Sequence, residues 1–333
     1  GIIEGRLLSN TNWQDEILRS SIFADHNFSA SANLFGKLPA RASVGYTKNE
    51  GLVKTNDYER FTATFKLSPS FFDNHLKVDV NAKGFWVEKN SIDEGGAIGG
   101  ALNMDPTKPI YTTGTVNNFG GYYQNTFINP QGQTLLNGQN NPVNLLMERE
   151  RPEIVNKLLG NVQFDYKMHF LPELRAVVNL GVEASRADIR EQYGQYALAA
   201  TRYSNETEAF AFNPGVNFRE TQHITNKTLD AFLQYTTTYT GAVTRLDVQA
   251  GHSYQSFVND GYKSNYRYNV DTGLREEDIN PQNLNNRYYN KTVLESFFGR
   301  ANVDYFDRYL LTVTFRADGS SLFRKDNRWA YFP

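Results

Sequence analysis

Apolar and polar residues take turns along most of this chain. In "YERFTATFKL" (58–67), Phe61, Ala63, Phe65 and Leu67 fall on one side, and Arg60, Thr62, Thr64 and Lys66 on the other. "HLKVDVNAKGFW" (75–86) sets Leu76, Val78, Val80, Ala82 and Trp86 against Lys77, Asp79, Asn81 and Lys83. The same period runs through Phe28–Leu34, Ala40–Tyr46, Leu158–Met168 and Leu174–Ala184. It returns in Leu229–Tyr235, Leu246–Tyr254, Phe297–Tyr305 and Tyr309–Phe315. A period of two with one apolar and one polar face predicts strands. Ten are expected.

A soluble sandwich would alternate in the same way, so length and connection carry the distinction. Several runs hold register for about ten residues, where soluble strands average roughly 5–6 and strands crossing a bilayer need about 9–11. The links at 36–39, 68–74, 169–173, 237–242 and 306–308 are short. Those at 89–153, 188–222 and 258–290 are long, with briefer ones at 48–57 and 319–328. Short and long alternate strictly, which in an up-and-down barrel puts every short turn at one rim and every long loop at the other. Outer-membrane barrels have that asymmetry, with short periplasmic turns and long extracellular loops. Tyr46, Trp86, Tyr166, Tyr235, Tyr254 and Tyr305 stand near strand ends, where aromatic girdles sit. The expected fold is all-β: an antiparallel up-and-down transmembrane β-barrel.

Composition agrees and narrows the chemistry. The 333 residues include 23 Phe, 20 Tyr and 3 Trp, yet the mean hydropathy is −0.56. That mixture suits neither a helical membrane protein nor a disordered chain, and no stretch approaches the roughly 18 apolar residues of a spanning helix. The net charge of −2 gives no reason to expect a nucleic-acid partner. Without cysteine there is no disulfide framework, thiolate metal site or cysteine nucleophile. "GIIEGRLLSN" (1–10) lacks a signal-peptide pattern.

Several stretches are family-like. "NTNWQDEILRS" (10–20) followed by "HNFSASA" (26–32) resembles the entry into the barrel of SusC/RagA-type TonB-dependent transporters of Bacteroidetes outer membranes. "VGYTKNEGLVKTNDYERFTATFKLSPSFFDNHLKVDVNAKG" (44–84) and "DEGGAIGGALNMDPTKPIY" (93–111) are similar to the segments that follow there. "FRADGSSLFRKDNRWAYFP" (315–333) resembles a specific stretch of that family which leads into a further barrel strand. The resemblance implies about ten strands of a larger barrel of about 22 around a plugged lumen. Residues 1–24 would lead in from the plug and 25–333 would supply strands and loops, so the resemblance implies an interior fragment of the barrel from which the plug and N-terminal extension are absent.

It also implies a role: import of an oligosaccharide or peptide across the outer membrane, powered through TonB and assisted by a SusD-type surface lipoprotein lid. TonB would act through the N-terminal region, and membrane lipid and lipopolysaccharide would surround the wall. No enzyme activity, cofactor or metal is expected. A siderophore or cobalamin receptor of similar design is the nearer alternative, and a secreted all-β glycan-binding or glycoside-hydrolysing protein the more distant one.

Chemical motifs are weak beside this pattern. Asp271-Thr272-Gly273 matches one half of an aspartic-protease pair and reads as a loop turn. Gly251–Gln255 lacks the second glycine of a nucleophile elbow and reads as strand. His26, His75, His169, His223 and His252 have no metal-ligand spacing. The glycine-rich run 95–100 fits no phosphate cradle and is expected to let backbone pack closely. The aromatic, amide-rich stretch 116–142 is the best candidate for ligand contact, because rings and amides together suit sugars or peptides. Phe119, Tyr122, Tyr123, Gln124 and Asn125 are its candidate residues; packing onto neighbouring loops or a lid is the structural alternative.

Overall fold

The computed structural model describes residues 2–3, 6–7, 9–36, 38–112, 119–204, 209–212, 217–268, 275–278 and 286–333. Asp271-Thr272-Gly273 lies outside them. The main body is one antiparallel meander in which each strand pairs with the next. Its strands are β1 (Phe23–Leu34), β2 (Leu38–Glu50), β3 (Asp57–Leu67), β4 (Leu76–Asn90), β5 (Pro152–Lys167) and β6 (Leu174–Tyr193). Then follow β7 (Asn217–Thr238), β8 (Val243–Tyr268), β9 (Arg287–Tyr305), β10 (Tyr309–Ser320) and the short β11 (Trp329–Phe332). All ten expected strands are present, and β11 continues the sheet.

Register makes the two faces continuous across the meander. Phe164, Val178, Ala231, His252, Phe297 and Ala317 are successive partners on the apolar face. Among the described residues no second sheet covers that face: Phe61, Phe65 and Phe164 are exposed, and Val78 and Val80 are half-buried. This is the surface that lipid covers in a barrel wall. The apolar band also drifts. Leu180, in mid-band on β6, is in register through Leu229 with Tyr254, at the band's upper end on β8. A band that stays level while the register climbs means tilted strands, as barrel closure requires.

The connections alternate as expected. Turns β1–β2 and β9–β10 place Phe35 (φ 52°), Gly36 (φ 76°), Phe306 (φ 56°) and Asp307 (φ 53°) in the left-handed region, the mirror-type turn whose twist suits a tight hairpin. At neighbouring short turns, His75 and His169 stack with ring centres 3.9 Å apart.

Several connections are shorter than the sequence suggested. β6 runs on to Tyr193, β7 begins at Asn217, β8 extends to Tyr268 and β9 begins at Arg287, inside segments read above as loops 188–222 and 258–290. The reason is chemical. Beyond the band the outward positions become Arg186, Asp188, His223, Asp260 and Lys291, so the apolar half of the alternation disappears while the hydrogen-bonded ladder continues.

The packed core lies at the rim of the long connections, outside the sheet. Helices α1 (Trp13–Ile17), α2 (Glu94–Asn103) and α3 (Pro142–Met147) meet there. They bury Trp13, Ile17, Ala97, Ala101, Val143 and Leu146 together with Val53 and Leu198. The 95–100 run is therefore helical, and Asp93 caps it by accepting from Gly96 N at 3.0 Å. Close packing is needed at Gly100, where a Cβ would stand 3.2 Å from Pro142 Cβ. Trp13 Nε1 donates to Asp105 O at 3.0 Å, and Lys54 Nζ donates to Glu16 O at 2.6 Å. Segment 9–20 is thus fixed to the cap formed by the long connections.

Candidate functional site

The candidate stretch divides by burial. Phe119 and Tyr122 are 3% and 8% exposed and belong to the rim core. They flank a tight turn in which Tyr122 N donates to Phe119 O at 3.1 Å, and Gly120 and Gly121 take φ of 62° and 86°. Only glycine suits Gly120, since a Cβ there would lie 2.5 Å from Tyr196 Cγ. The Tyr122 ring packs 5.1 Å from that of Tyr111. Burial first, then Tyr111 and the Glu148 carboxylate, pushes its hydroxyl pKa up to about 12.

Gln124 is also buried and serves the loop backbone. Its Oε1 accepts from Asn141 N at 3.0 Å and its Nε2 donates to Gln139 O at 3.1 Å. Tyr123 and Asn125 are half-buried; the Tyr123 hydroxyl donates to Asn125 Oδ1, and the Lys108 ammonium stands 5.7 Å from the Tyr123 ring centre. Three of the five candidates thus form the interior of the loop unit. Tyr123 and Asn125, with Lys108, form the more accessible edge.

Two residues that sequence reading passed over organise this unit. Asn141 is fully buried; its Nδ2 donates to Ile110 O and Tyr123 O at 2.9 and 3.0 Å. Its Oδ1 caps α3 by accepting from Val143 N at 3.0 Å and Asn144 N at 3.3 Å. Asn144 reaches the other way, donating to Tyr196 O at 2.9 Å and accepting from Leu198 N at 2.8 Å. Asn141-Pro142 is a legible helix start, a cap followed by proline in the first turn. What was not legible is that both amides would lie inside.

Below this rim the polar face of the sheet is stitched strand to strand. Lys157 pairs with Glu183, which also accepts from Asn226 Nδ2 at 2.9 Å. Asp165 pairs with Arg175, and Asn161 donates to Asn179. Asp230 accepts from Ser253 Oγ at 2.5 Å, and Asp247 from Gln234 and Thr236 at 3.0 and 2.8 Å. These donors and carboxylates make a wettable inner wall in which these carboxylates are satisfied by cross-strand neighbours. Among the described residues no group of three His, Asp or Glu could hold a metal ion.

Polar wall inward, apolar wall outward, short turns at one rim and a self-packed cap at the other define the geometry against which known proteins can be compared. No family model matches the chain. It is 36% identical, over 98% of its length, to the TonB-dependent receptor SusC of Bacteroides thetaiotaomicron. Along nearly its whole length the chain is thus similar to SusC-type TonB-dependent receptors. It is also 25% identical over 98% of its length to TonB-dependent receptor P3 of Formosa agariphila. It spans about a third of these relatives, 32% and 31% respectively. In fold it is similar to the RagAB peptide transporter, with a TM-score of 0.68 at 16% identity over 97% of this chain and 34% of that one. The RagAB peptide importer in its closed-closed state gives a TM-score of 0.65 over the same shares. The expected all-β barrel architecture therefore stands. The receptors of this family are outer-membrane barrels, and among the described residues no helix is long and apolar enough to cross a membrane.

Proposed function

We propose that this chain is wall and external cap of a TonB-dependent importer in the outer membrane, one that takes up an oligosaccharide or peptide under a SusD-type lipoprotein lid. The observation that carries the reading is the 36% identity to a SusC receptor along nearly the whole chain, set on a sheet whose polar face can line a wet passage. In this reading residues 1–24 lead in from the plug and 25–333 are wall and loops. TonB acts through the N-terminal region, lipid and lipopolysaccharide surround the outer face, and the chain itself makes and breaks no covalent bond.

Substrate contact in the candidate loop is assigned to its accessible edge. Tyr123 and Asn125 are the residues to meet a sugar or peptide, while Phe119, Tyr122 and Gln124 hold that edge in place. The test uses the complete gene product in its native outer membrane. Uptake of labelled oligomers is expected to stop when TonB is removed, and a surface lipoprotein is expected to co-purify with the receptor. Uptake that continues without TonB would overturn the importer reading; a receptor that purifies alone and takes up a metal chelate would favour the siderophore or cobalamin design.

A further inference from the structure

Above the apolar band, where β6, β7 and β8 run on toward the long-connection rim, the inward face carries a patch in which buried guanidinium nitrogens are left without partners among the described residues. We propose that this patch is a clamp for a carboxylate group carried by the imported oligomer, so that acidic oligomers are the preferred cargo. The inference rests on the importer reading and adds a substrate class to it.

The patch is one connected chain of contacts. Arg149 Nε donates to Glu191 Oε1 at 3.1 Å, and the Tyr193 hydroxyl donates to the same oxygen at 2.7 Å. Arg151 Nε is 3.6 Å from Glu191 Oε2, beyond hydrogen-bond reach. Glu191 is in register with Phe218 on β7, and Glu220 with Lys263 on β8. Phe218 has two cations over its ring: Lys263 Nζ at 4.3 Å from the centre and the Arg151 guanidinium carbon at 6.0 Å. Lys263 Nζ is 4.0 Å from Glu220 Oε2, and Glu220 Oε1 accepts from the Tyr288 hydroxyl at 2.9 Å.

Three cations therefore share two carboxylates. Arg149 Nη1 and Arg151 Nε are buried with no hydrogen-bond partner among the described residues, an expensive state for a charged donor. Two cations beside one ring repel each other as well as being drawn to it. Lower on the same face, Asp165, Glu183, Asp230 and Asp247 each accept from a cross-strand donor, whereas at the mouth it is buried cationic nitrogens that lack a partner among the described residues. Its outer members are reachable, since the side chains of Arg151 and Lys263 are 33% and 50% exposed. A carboxylate bridging them past the edge of Phe218 would cancel the surplus charge and give Arg151 a planar, two-oxygen partner. The Tyr193, Phe218 and Tyr288 rings around it suit the body of a sugar or a peptide.

Binding to the complete, detergent-purified receptor tests this with matched pairs of probes. One pair is a uronic-acid oligosaccharide and the same oligosaccharide with its carboxylates reduced to alcohols; the other is a glutamate-rich peptide and its glutamine counterpart. The acidic member of at least one pair is expected to bind about tenfold tighter, with affinity falling as salt rises. Whichever pair shows the preference identifies whether sugar or peptide carries the carboxylate. Lys263→Gln, at a half-exposed site, and Arg151→Gln are each expected to lower acidic-probe affinity about tenfold and leave the neutral probe unchanged. Heat-modifiable migration checks that each variant barrel is folded. Equal binding of acidic and neutral members in both pairs, or full acidic preference in folded Lys263→Gln and Arg151→Gln, overturns the clamp. TonB-dependent uptake of a neutral oligomer would still leave the importer reading intact, whereas loss of TonB dependence would remove that reading whatever the clamp does.

Discussion

The wall and the cap of this molecule are stabilised in different ways. In the wall, each residue's role follows from its parity: Val162 faces outward with Leu180 and Val80, and Gln163, one step along, faces inward beside Asp79 and Asn179. The ladder holds the strands, and the outward side chains are left for lipid to cover. In the cap there is no such rule. Trp13, Val53, Ala97, Phe119 and Leu198 come from five separate stretches and exclude water by packing on one another. A wall can thus be legible in a sequence whose cap is not, because a strand's neighbours are set by period and register, while a loop core needs contacts that no local pattern announces.

If the cap is a true core, it should break like one. Trp13→Ala removes a 2%-exposed ring and its hydrogen bond to Asp105 O, and is expected to cost about 3–5 kcal/mol of cap stability. Limited proteolysis of the complete receptor should then cut within 94–148 while heat-modifiable migration of the barrel is unchanged. Loss of the barrel itself would mean that cap and wall are one cooperative unit and that the contrast drawn here is false.

The wall's two faces give the next largest effect. Val162→Arg puts a charge at mid-band on the lipid side, for which about 2–4 kcal/mol is expected, whereas Gln163→Arg on the wet side should lie near zero. Urea unfolding of the intact barrel in lipid vesicles measures both. Equal costs would erase the distinction between faces on which the barrel reading depends.

Asn141→Ala tests whether the cap's polar interior matters as much as its apolar one. It abolishes the α3 cap and leaves Ile110 O and Tyr123 O without their donor, and about 1–3 kcal/mol should be lost. Asn141→Asp keeps the cap acceptor but turns a buried carboxylate oxygen toward Ile110 O and Tyr123 O, so it is expected to lose at least as much. Amide exchange across 108–125 and 141–147 reads both. Unaltered protection in Asn141→Ala would show that the apolar cluster alone orders the loops.

The residues show why legibility divides in this way. Phe61–Leu67 and Leu76–Trp86 could be placed on a wall face from their sequence because each outward side chain recurs two residues later. Once the outward positions become Arg186, Asp188 and His223, that signal vanishes and the upper halves of β6 and β7 read as loop. In the candidate stretch, composition pointed to contact chemistry at Phe119, Tyr122 and Gln124, but composition does not distinguish a ring that meets a ligand from one that closes a core. That depended on Gly120 and Gly121 turning the chain and on Asn141 reaching back across it, contacts separated by many residues and carried by no repeat. Arg149, Arg151 and Lys263 were invisible for the same reason: the surplus charge exists only after separate strands bring Arg151 and Lys263 to Phe218 and Arg149 to Glu191.

The smallest effect expected is that of pH on the cap. The Tyr122 hydroxyl has an ordinary value of 10.0, and burial, then Tyr111 and Glu148, pushes it up to about 12. A raised value means that the neutral, protonated phenol is the form the fold favours. Its contribution is therefore fully present below pH 10 and is lost as pH rises through about 12. Between neutral pH and pH 10 the cap should show no change attributable to this group. Phenolate absorbance compared between the intact receptor and Tyr122→Phe isolates the single titration, and Tyr122→Phe should remove the late step while leaving proteolysis of 94–148 unchanged near neutral pH. A Tyr122 that ionises with the ordinary phenols would place its hydroxyl in water, and with it the turn at Gly120 and Gly121 would belong to the accessible edge with Tyr123 and not to the core beneath it.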